Sequence, residues 1–480
     1  MSGNSSFEVI VLGPTGGPRE DAVTGLLVRS KSTNWTPGSM VAVDAGTMLA
    51  GIVRILKLYV SNSKNARQGA TLKEGPFRGL KLPAKTAEAN AAYIFREIIG
   101  AFLITHPHLD HVAGLAINTP IIEAGSGPKP VAALPSVLSA IKNHVFNDVI
   151  WPNLSDEDGG AGLLTYQRLV EGGNPRFGSE DSRGYVRACQ GIVTKCLSVS
   201  HGKCKQRYDP ESGTHHRASS TVFNSSESRL MPTRAISGHS DAGHFSPARS
   251  PHLGPAESMV STVESSAFFL RDHDSGDEII IFGDVEPDTV SLEPRNRRVW
   301  ETAAPKVARH TLRAIFIECS YSDSIDDAYL YGHLCPRHLI AELSVLADRV
   351  LDAREQTQDK KRKRETETAR NSPRSPFKRS HSSSGRKSRA GSSRGQHNEP
   401  LEGLSDLLAY DHYFPPDSTR WANSDPPLAD FSVYIIHIKE TMKDGVHPGE
   451  TIVQELTAHA EALNLGCQFF LPNPTESISI

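Results

Sequence analysis

Short apolar runs alternate with amphipathic stretches along most of the 480 residues. Phe7 to Leu12 is apolar and stops at Gly13-Pro14-Thr15-Gly16-Gly17-Pro18, the pattern of a strand ended by a turn. Gly25 to Arg29 and Met40 to Val43 read as two further strands. After Asp44-Ala45-Gly46-Thr47 the apolar positions take helical spacing from Met48 to Tyr59. Thr86 to Ile98 predicts a second helix with Thr86 as its N-cap. Ala101 to Thr105 predicts a buried strand. Leu134 to Phe146 predicts a helix whose Pro135 falls in the first turn, where proline is tolerated. Ile192 to Ser200, Ser266 to Leu270, Ile279 to Phe282 and Ala314 to Ile317 read as strands, and Leu334 to Asp352 as a helix. Phe431 to Ile438 is a strand, Glu450 to Leu463 a helix, and a last strand lies near Gln468 to Leu471. Strands and helices alternate through both halves, which argues for an α/β layered fold.

Two segments break this pattern. Lys205 to Thr262 holds 12 Ser among 58 residues, and Glu355 to Pro400 is rich in Ser, Lys and Arg. Neither buries enough apolar surface to offset its ordering entropy. Because apolar strands resume after each, they are expected to be disordered insertions, at 205–262 and 355–400, into a single domain spanning 1–480. No internal repeat is present. A hydrophobic content of 38% leaves room for a core but, like the two segments, implies that part of the chain is not core.

The formal charge of -3 hides an asymmetry. From Lys360 to Arg394 there are 13 Lys/Arg and 2 Asp/Glu, a net of +11, so the rest of the chain carries 39 basic and 53 acidic residues, a net of -14. An acidic body is a poor surface for long nucleic acid. No apolar stretch approaches the ~20 residues of a spanning helix. The start, MSGNSSFEVIVLG, lacks the basic and apolar regions of a signal peptide. The six cysteines (Cys189, Cys196, Cys204, Cys319, Cys335, Cys467) form no CxxC pair. They read as reduced thiols, so a cytoplasmic or nuclear location is expected.

The chemistry concentrates in His106-Pro107-His108-Leu109-Asp110-His111, directly after a predicted buried strand. On extended chain His106 and His108 point the same way and can grip one ion. Asp110 and His111 fall where the chain turns toward a helix and can face a second. Imidazoles with carboxylates and open positions suit Zn²⁺, Mn²⁺ or Fe. Two metals about 3.5–4 Å apart suit phosphoester hydrolysis, since they hold a bridging hydroxide and neutralise the phosphate. With 20 His in the chain, a pair two apart also arises by chance. His215-His216 and His239-Ser240-Asp241-Ala242-Gly243-His244 lie in the Ser-rich insertion and are not read as ligands.

THPHLDH resembles the signature of the metallo-β-lactamase superfamily. Its extension through Val112-Ala-Gly-Leu115 and Ile117-Asn-Thr-Pro120 is similar to the fungal and bacterial class II cyclic-nucleotide phosphodiesterases. LGPTGGP, VSHG at Val199 to Gly202, SAFFL at Ser266 to Leu270, IFGDVEPD at Ile281 to Asp288, FIECSY at Phe316 to Tyr321 and YGHLCPRHL at Tyr331 to Leu339 also look like blocks of that family. The resemblance implies an α/β four-layer αββα sandwich of metallo-β-lactamase type. It implies that His106, His108 and His201 hold one metal, that Asp110, His111 and His437 hold another, and that Asp284 bridges them. A surface role for His201 and a satisfied core histidine at His437 compete with ligation. FIECSY and GHLCPRHL also resemble blocks of tRNA 3′-processing relatives, which implies a proton-transfer role for Glu318 and His333; Asp110 is also expected among the catalytic residues. A pair that merely holds the fold is the plainer alternative.

The implied activity is hydrolysis of 3′,5′-cyclic nucleotides (cyclic AMP, or cyclic GMP) to nucleoside 5′-monophosphates on two divalent metal ions, zinc foremost, which would lower cyclic AMP signalling. A tRNA 3′-processing phosphodiesterase is the alternative enzyme. It needs a basic RNA-gripping arm, whereas Glu123 to Ser200 has 7 basic and 8 acidic residues. A metal-free binding scaffold is the alternative outside enzymes. The expected partner is a small cyclic nucleotide, with neither membrane nor nucleic acid. Lys360-Lys-Arg-Lys-Arg364 reads as a nuclear import signal or a solvated linker, and Lys378-Arg379-Ser380 and Arg386-Lys387-Ser388 as candidate sites for a basophilic kinase.

Overall fold

The architecture is taken from a computed structural model, which describes residues 5–60, 69–122, 127–217, 260–370, 420–421 and 425–480. The first half builds a sheet from β1 (Phe7–Gly13), β2 (Gly25–Ser30), β3 (Met40–Val43), β4 (Ile99–Leu103), β5 (Lys129–Ala133) and β6 (Leu164–Arg168). The second sheet uses β7 (Val186–Cys189) and β8 (Ile192–Cys204). After a hairpin of β9 (Gln206–Asp209) and β10 (Thr214–Arg217) it continues with β11 (Ser261–Asp272), β12 (Glu278–Phe282), β13 (Leu312–Glu318), β14 (Ser432–Ile436) and β15 (Gln468–Phe470). A final strand, β16 (Ser477–Ser479), returns to the edge of the first sheet beside β1. The helices are α1 (Leu49–Val60), α2 (Ala87–Tyr93), α3 (Leu109–Asn118), α4 (Pro135–His144), α5 (Asn296–Ala308), α6 (Pro336–Arg370) and α7 (Pro448–Ala462).

Each sheet has seven strands, ordered β16-β1-β2-β3-β4-β5-β6 and β15-β14-β13-β12-β11-β8-β7. β3 to β6 pair in parallel in one and β12 to β15 in the other, and the remaining pairs are antiparallel. Side-chain alternation along the strands explains the layering. In β11, Phe268 and Leu270 pack with the first sheet, whereas Ala267 and Phe269 join Trp300 of α5 and Leu343 of α6. β12 repeats the split, with Ile279 and Ile281 inward and Ile280 and Phe282 toward the helices. Ile52, Ile55, Val112, Leu115, Val137 and Ile141 from α1, α3 and α4 pack with the first sheet. The result is the αββα sandwich.

Three local differences from the sequence expectation have physical causes. The fourth strand ends at Leu103, not Thr105, because Thr105 turns both its N–H and its hydroxyl to Asp44. Thr86 caps α2 as expected, accepting from the Ala89 N–H at 3.1 Å, but the helix relaxes to a π turn over Ile94–Ile98. The basic segment expected to leave regular structure at Glu355 stays helical to Arg370. Its first helix-breaking residue is Pro373, and its charged residues are good helix formers. Arg420 also clasps this helix through Asp348, Asp352 and Glu355. The Ser-rich insertion likewise opens on the β9–β10 hairpin, and its residues 218–259, like residues 371–400 of the basic one, lie outside the described residues. Among the described residues no helix is long and apolar enough to cross a membrane.

The helix layer buries one carboxyl group that the site does not use. Glu342 of α6 accepts from Trp300 Nε1 at 2.6 Å and from the Asp288 N–H at 2.8 Å. Burial, with the nearby Asp288 charge adding to it, pushes its pKa up to about 7. A carboxyl raised above its unfolded value stabilises the fold fully below that unfolded value, and the contribution disappears as pH rises through about 7. Thermal melting from pH 5 to pH 8 should therefore show a destabilising limb in the native chain that is flattened in Glu342→Gln. Parallel pH profiles for the two chains would show that Glu342 does not titrate there.

Candidate metal centre

β8, β12, β13 and β14 run in the same direction, so their C-terminal ends meet at one edge of the second sheet. His201 lies near the end of β8, Asp284 two residues beyond β12, Glu318 closes β13, and His437 follows β14. Across the sandwich, β4 runs out into His106, and His108 occupies the N-cap position of α3. Asp110 and His111 fall in the first turn of that helix. The expected ligands thus come from four separate strand ends and one helix start, in a crevice at strand carboxyl ends where α/β folds commonly place their sites.

The structure brings all seven expected ligands together. His106, His108, His201 and Asp284 form one cluster with one ligand atom each within 4.8 Å of the others, and Asp110, His111, Asp284 and His437 form a second. Asp284 belongs to both. Its Oδ2 lies 3.1 Å from His437 Nε2, 3.6 Å from His106 Nε2 and 3.7 Å from His201 Nε2, and its Oδ1 lies 3.3 Å from His111 Nε2. Asp110 Oδ2 lies 3.5 Å from His437 Nε2.

The donor set fits cations. His106 Nε2, His111 Nε2 and Asp284 Oδ1 are buried, belong to the clusters and have no hydrogen-bond partner. Leaving three buried polar atoms unmatched is costly unless something positively charged completes them. Burial holds the imidazoles of His106 and His437 well below the ordinary histidine value and brings His201 down to about 3, the neutral state a ligand needs. Burial works to raise Asp284, but His437, His111 and His106 overcome it and hold its carboxyl well below the usual range. His111 is the mirror case: burial opposes its proton, while Asp284 and Asp44 raise it well above the ordinary value. A divalent cation held there would take the place of that proton in balancing the carboxylates.

Outer contacts aim these rings. Asp44 accepts from His111 Nδ1 at 2.8 Å and from the Thr105 N–H at 2.8 Å, which leaves His111 Nε2 facing Asp284. Thr105 Oγ1 lies 3.1 Å from His106 Nδ1, and the Gly332 carbonyl 2.8 Å from His201 Nδ1. Gly16 is needed for a different reason: a Cβ there would stand 2.6 Å from the His437 ring. His437 itself has a left-handed backbone, φ 59°.

Glu318 and His333 sit beside the first cluster and form a third with His201. His333 Nδ1 lies 2.9 Å from Glu318 Oε1, and that carboxylate also accepts from the Val285 N–H at 2.8 Å and from Ser320 Oγ at 2.6 Å. Burial works against the His333 proton, but Glu318 outweighs it and the pKa is raised. With Nδ1 engaged by Glu318 and 3.8 Å from Asp284 Oδ2, Nε2 is the ring nitrogen left to exchange a proton.

Sequence reasoning missed two residues. Asp44 follows the apolar run of β3 in Asp44-Ala45-Gly46-Thr47, a strand-end carboxylate that the pattern itself displays. Lys439, two residues past His437, donates to the Gly16 carbonyl at 2.7 Å and brings Nζ to 3.8 Å from Asp110 Oδ2. Of the histidines set aside, His215 and His216 lie on β10 and join neither cluster, although His215 lines the same cavity as His108, and His239, Asp241 and His244 lie outside the described residues.

Comparison with known proteins agrees with this geometry. A 3′,5′-cyclic-nucleotide phosphodiesterase of Schizosaccharomyces pombe is 27% identical over 342 residues, covering 71% of this chain and 75% of its own. Another, from Aliivibrio fischeri, is 26% identical over 345 residues, covering 72% and 77%. A crystal structure of unliganded yeast PDE1 shares the fold, with a TM-score of 0.58 at 20% identity over 99% of this chain and 100% of that one. Residues 7–363 match the family described as cAMP phosphodiesterases class-II. With most of its length matched and its strand ends converging on a His/Asp crevice, the chain belongs to the class-II cAMP phosphodiesterases.

Proposed function

We propose that this protein hydrolyses 3′,5′-cyclic nucleotides to nucleoside 5′-monophosphates with two divalent cations, zinc foremost, held on either side of Asp284. The observation that carries the reading is the pair of ligand clusters that share this one carboxylate. His106, His108 and His201 would hold one cation, and Asp110, His111 and His437 the other. Divalent cations bound there would acidify an attacking water and neutralise the phosphoryl oxygens.

The chain's own groups supply the rest. His106, His201 and His437 stay neutral through burial and so keep lone pairs for ligation. Lys439, tethered to the Gly16 carbonyl beside Asp110, adds a fixed positive charge for a phosphoryl oxygen. Glu318 locks the His333 ring by Nδ1, so Nε2 can protonate the departing 3′ oxygen. Next to His333 lies a cavity of about 430 Å³, lined in part by Lys203, Glu286 and Tyr331, with room for a nucleoside.

Incubation of the purified protein with cyclic AMP should yield adenosine 5′-monophosphate, and Asp284→Ala should abolish the reaction. An Asp284→Ala chain of undiminished activity would refute the assignment. For His333→Ala we expect a loss of about 10²–10⁴ in kcat on cyclic AMP. The loss should shrink for a nitrophenyl phosphodiester, whose leaving group needs no proton. An equal loss on both substrates would assign His333 to holding the site rather than to proton transfer.

A further inference from the structure

Well away from the metal centre, a cavity of about 670 Å³ opens where β6, β7, β8 and the loop from Val170 to Tyr185 meet. None of the metal-centre residues lines it. Lys195, which does, precedes His201 by six residues along β8, roughly 20 Å at the rise of an extended strand.

The wall is cationic. Arg168, Arg187, Lys195, Arg271 and His273 line it, and no Asp or Glu does among the described residues. Some of this charge is already balanced: Arg168 pairs with Glu157, while Arg271 and Lys306 share Glu278 at 2.9 and 2.7 Å. Arg187 and Lys195 have no ion-pair partner among the described residues. Burial, and then the neighbouring Lys306, lower the Lys195 pKa, and Glu278 offsets them only in part.

Two further features fit a bound molecule larger than an ion. Thr194 lines the cavity, is only 1% exposed, and its hydroxyl has no hydrogen-bond partner. Such a group normally finds one. Phe177 is 54% exposed on the lining loop and offers a flat apolar face, while the buried Tyr185 ring backs the wall, with Lys195 Nζ 6.0 Å from its centroid and its hydroxyl donating to Glu278. The loop is a built structure. Its backbone closes through Gly184 N–H to the Phe177 carbonyl at 2.8 Å, and Gly173, at φ +86°, approaches Gly184 so closely that a Cβ would lie 2.3 Å from its carbonyl oxygen.

We propose that this cavity is a second, non-catalytic site for a nucleoside phosphate, with the phosphate on Arg187 and Lys195 and the flat base against Phe177 of the lining loop. The volume falls within the range of small-molecule sites and far exceeds that of a bare phosphate. Leu169, Val170 and Val193 give the base an apolar wall. The proposal does not rest on the reading of the metal centre, and its test separates the two.

Titration calorimetry of the full Asp284→Ala chain with adenosine 5′-monophosphate should show binding, since the substitution dismantles the metal centre and leaves this cavity intact. Adding Arg187→Ala and Lys195→Ala should weaken it about tenfold or more, as expected for two lost charge-assisted contacts. Phe177→Ala, at an exposed position that does not threaten the fold, should weaken it as well. Inorganic phosphate and adenosine should each bind more weakly than the nucleotide. The proposal falls if Asp284→Ala binds no nucleotide, if the affinity survives both the double substitution and Phe177→Ala, or if phosphate or adenosine alone binds as tightly.

Discussion

A carboxylate buried among imidazoles is the constraint on which the rest of this structure depends. Asp284 is 2% exposed, and the rings of His106, His111, His201 and His437 surround it. An isolated charge at that depth would be prohibitively costly, so it must be matched from several directions at once. The two sheets do this by delivering strand ends from opposite halves of the chain to one crevice. Close backbone approach makes the delivery possible. A Cβ on Gly283 would strike Thr105, one on Gly46 would stand 1.9 Å from the Asp110 carbonyl oxygen, and one on Gly114 would crowd the Ala45 and Gly46 carbonyls. These glycines let α3, the β3 turn and the end of β12 meet closely enough for the histidines to share one carboxylate.

Precision then comes from contacts one step out. Asp44 fixes His111, the Gly332 carbonyl fixes His201, and Glu318 fixes His333. Each engages one ring nitrogen and so decides which end of the imidazole faces the crevice. Rings held this way lose little entropy when a cation arrives, and supports of this kind commonly matter to metal affinity nearly as much as the ligands do.

Much of this could be read from the chain. His106, His108, Asp110 and His111 announce themselves because six consecutive residues change directly from strand to helix. His201, Asp284 and His437 were legible only by likeness to known blocks, because each is a single residue at a strand end with no spacing of its own. Lys439 and Asp44 escaped for the same reason: a lone charged residue after an apolar run looks like ordinary punctuation. Proline hid two elements. Pro130 argues against a strand, yet β5 accommodates it because pairing with β4 begins only at Val131. Pro305 sits inside α5 and masks that helix. Glu355 to Arg370 misled in the opposite sense, since a charged composition signals solvation rather than the absence of a helix.

The claim that Asp284 is shared between two cations can be tested by anomalous X-ray scattering from crystals of the native chain grown with zinc or manganese. The account predicts two strong peaks, one among His106, His108 and His201 and one among Asp110, His111 and His437, with the Asp284 carboxylate between them. A single peak, or peaks that leave Asp284 without a metal contact, would contradict it.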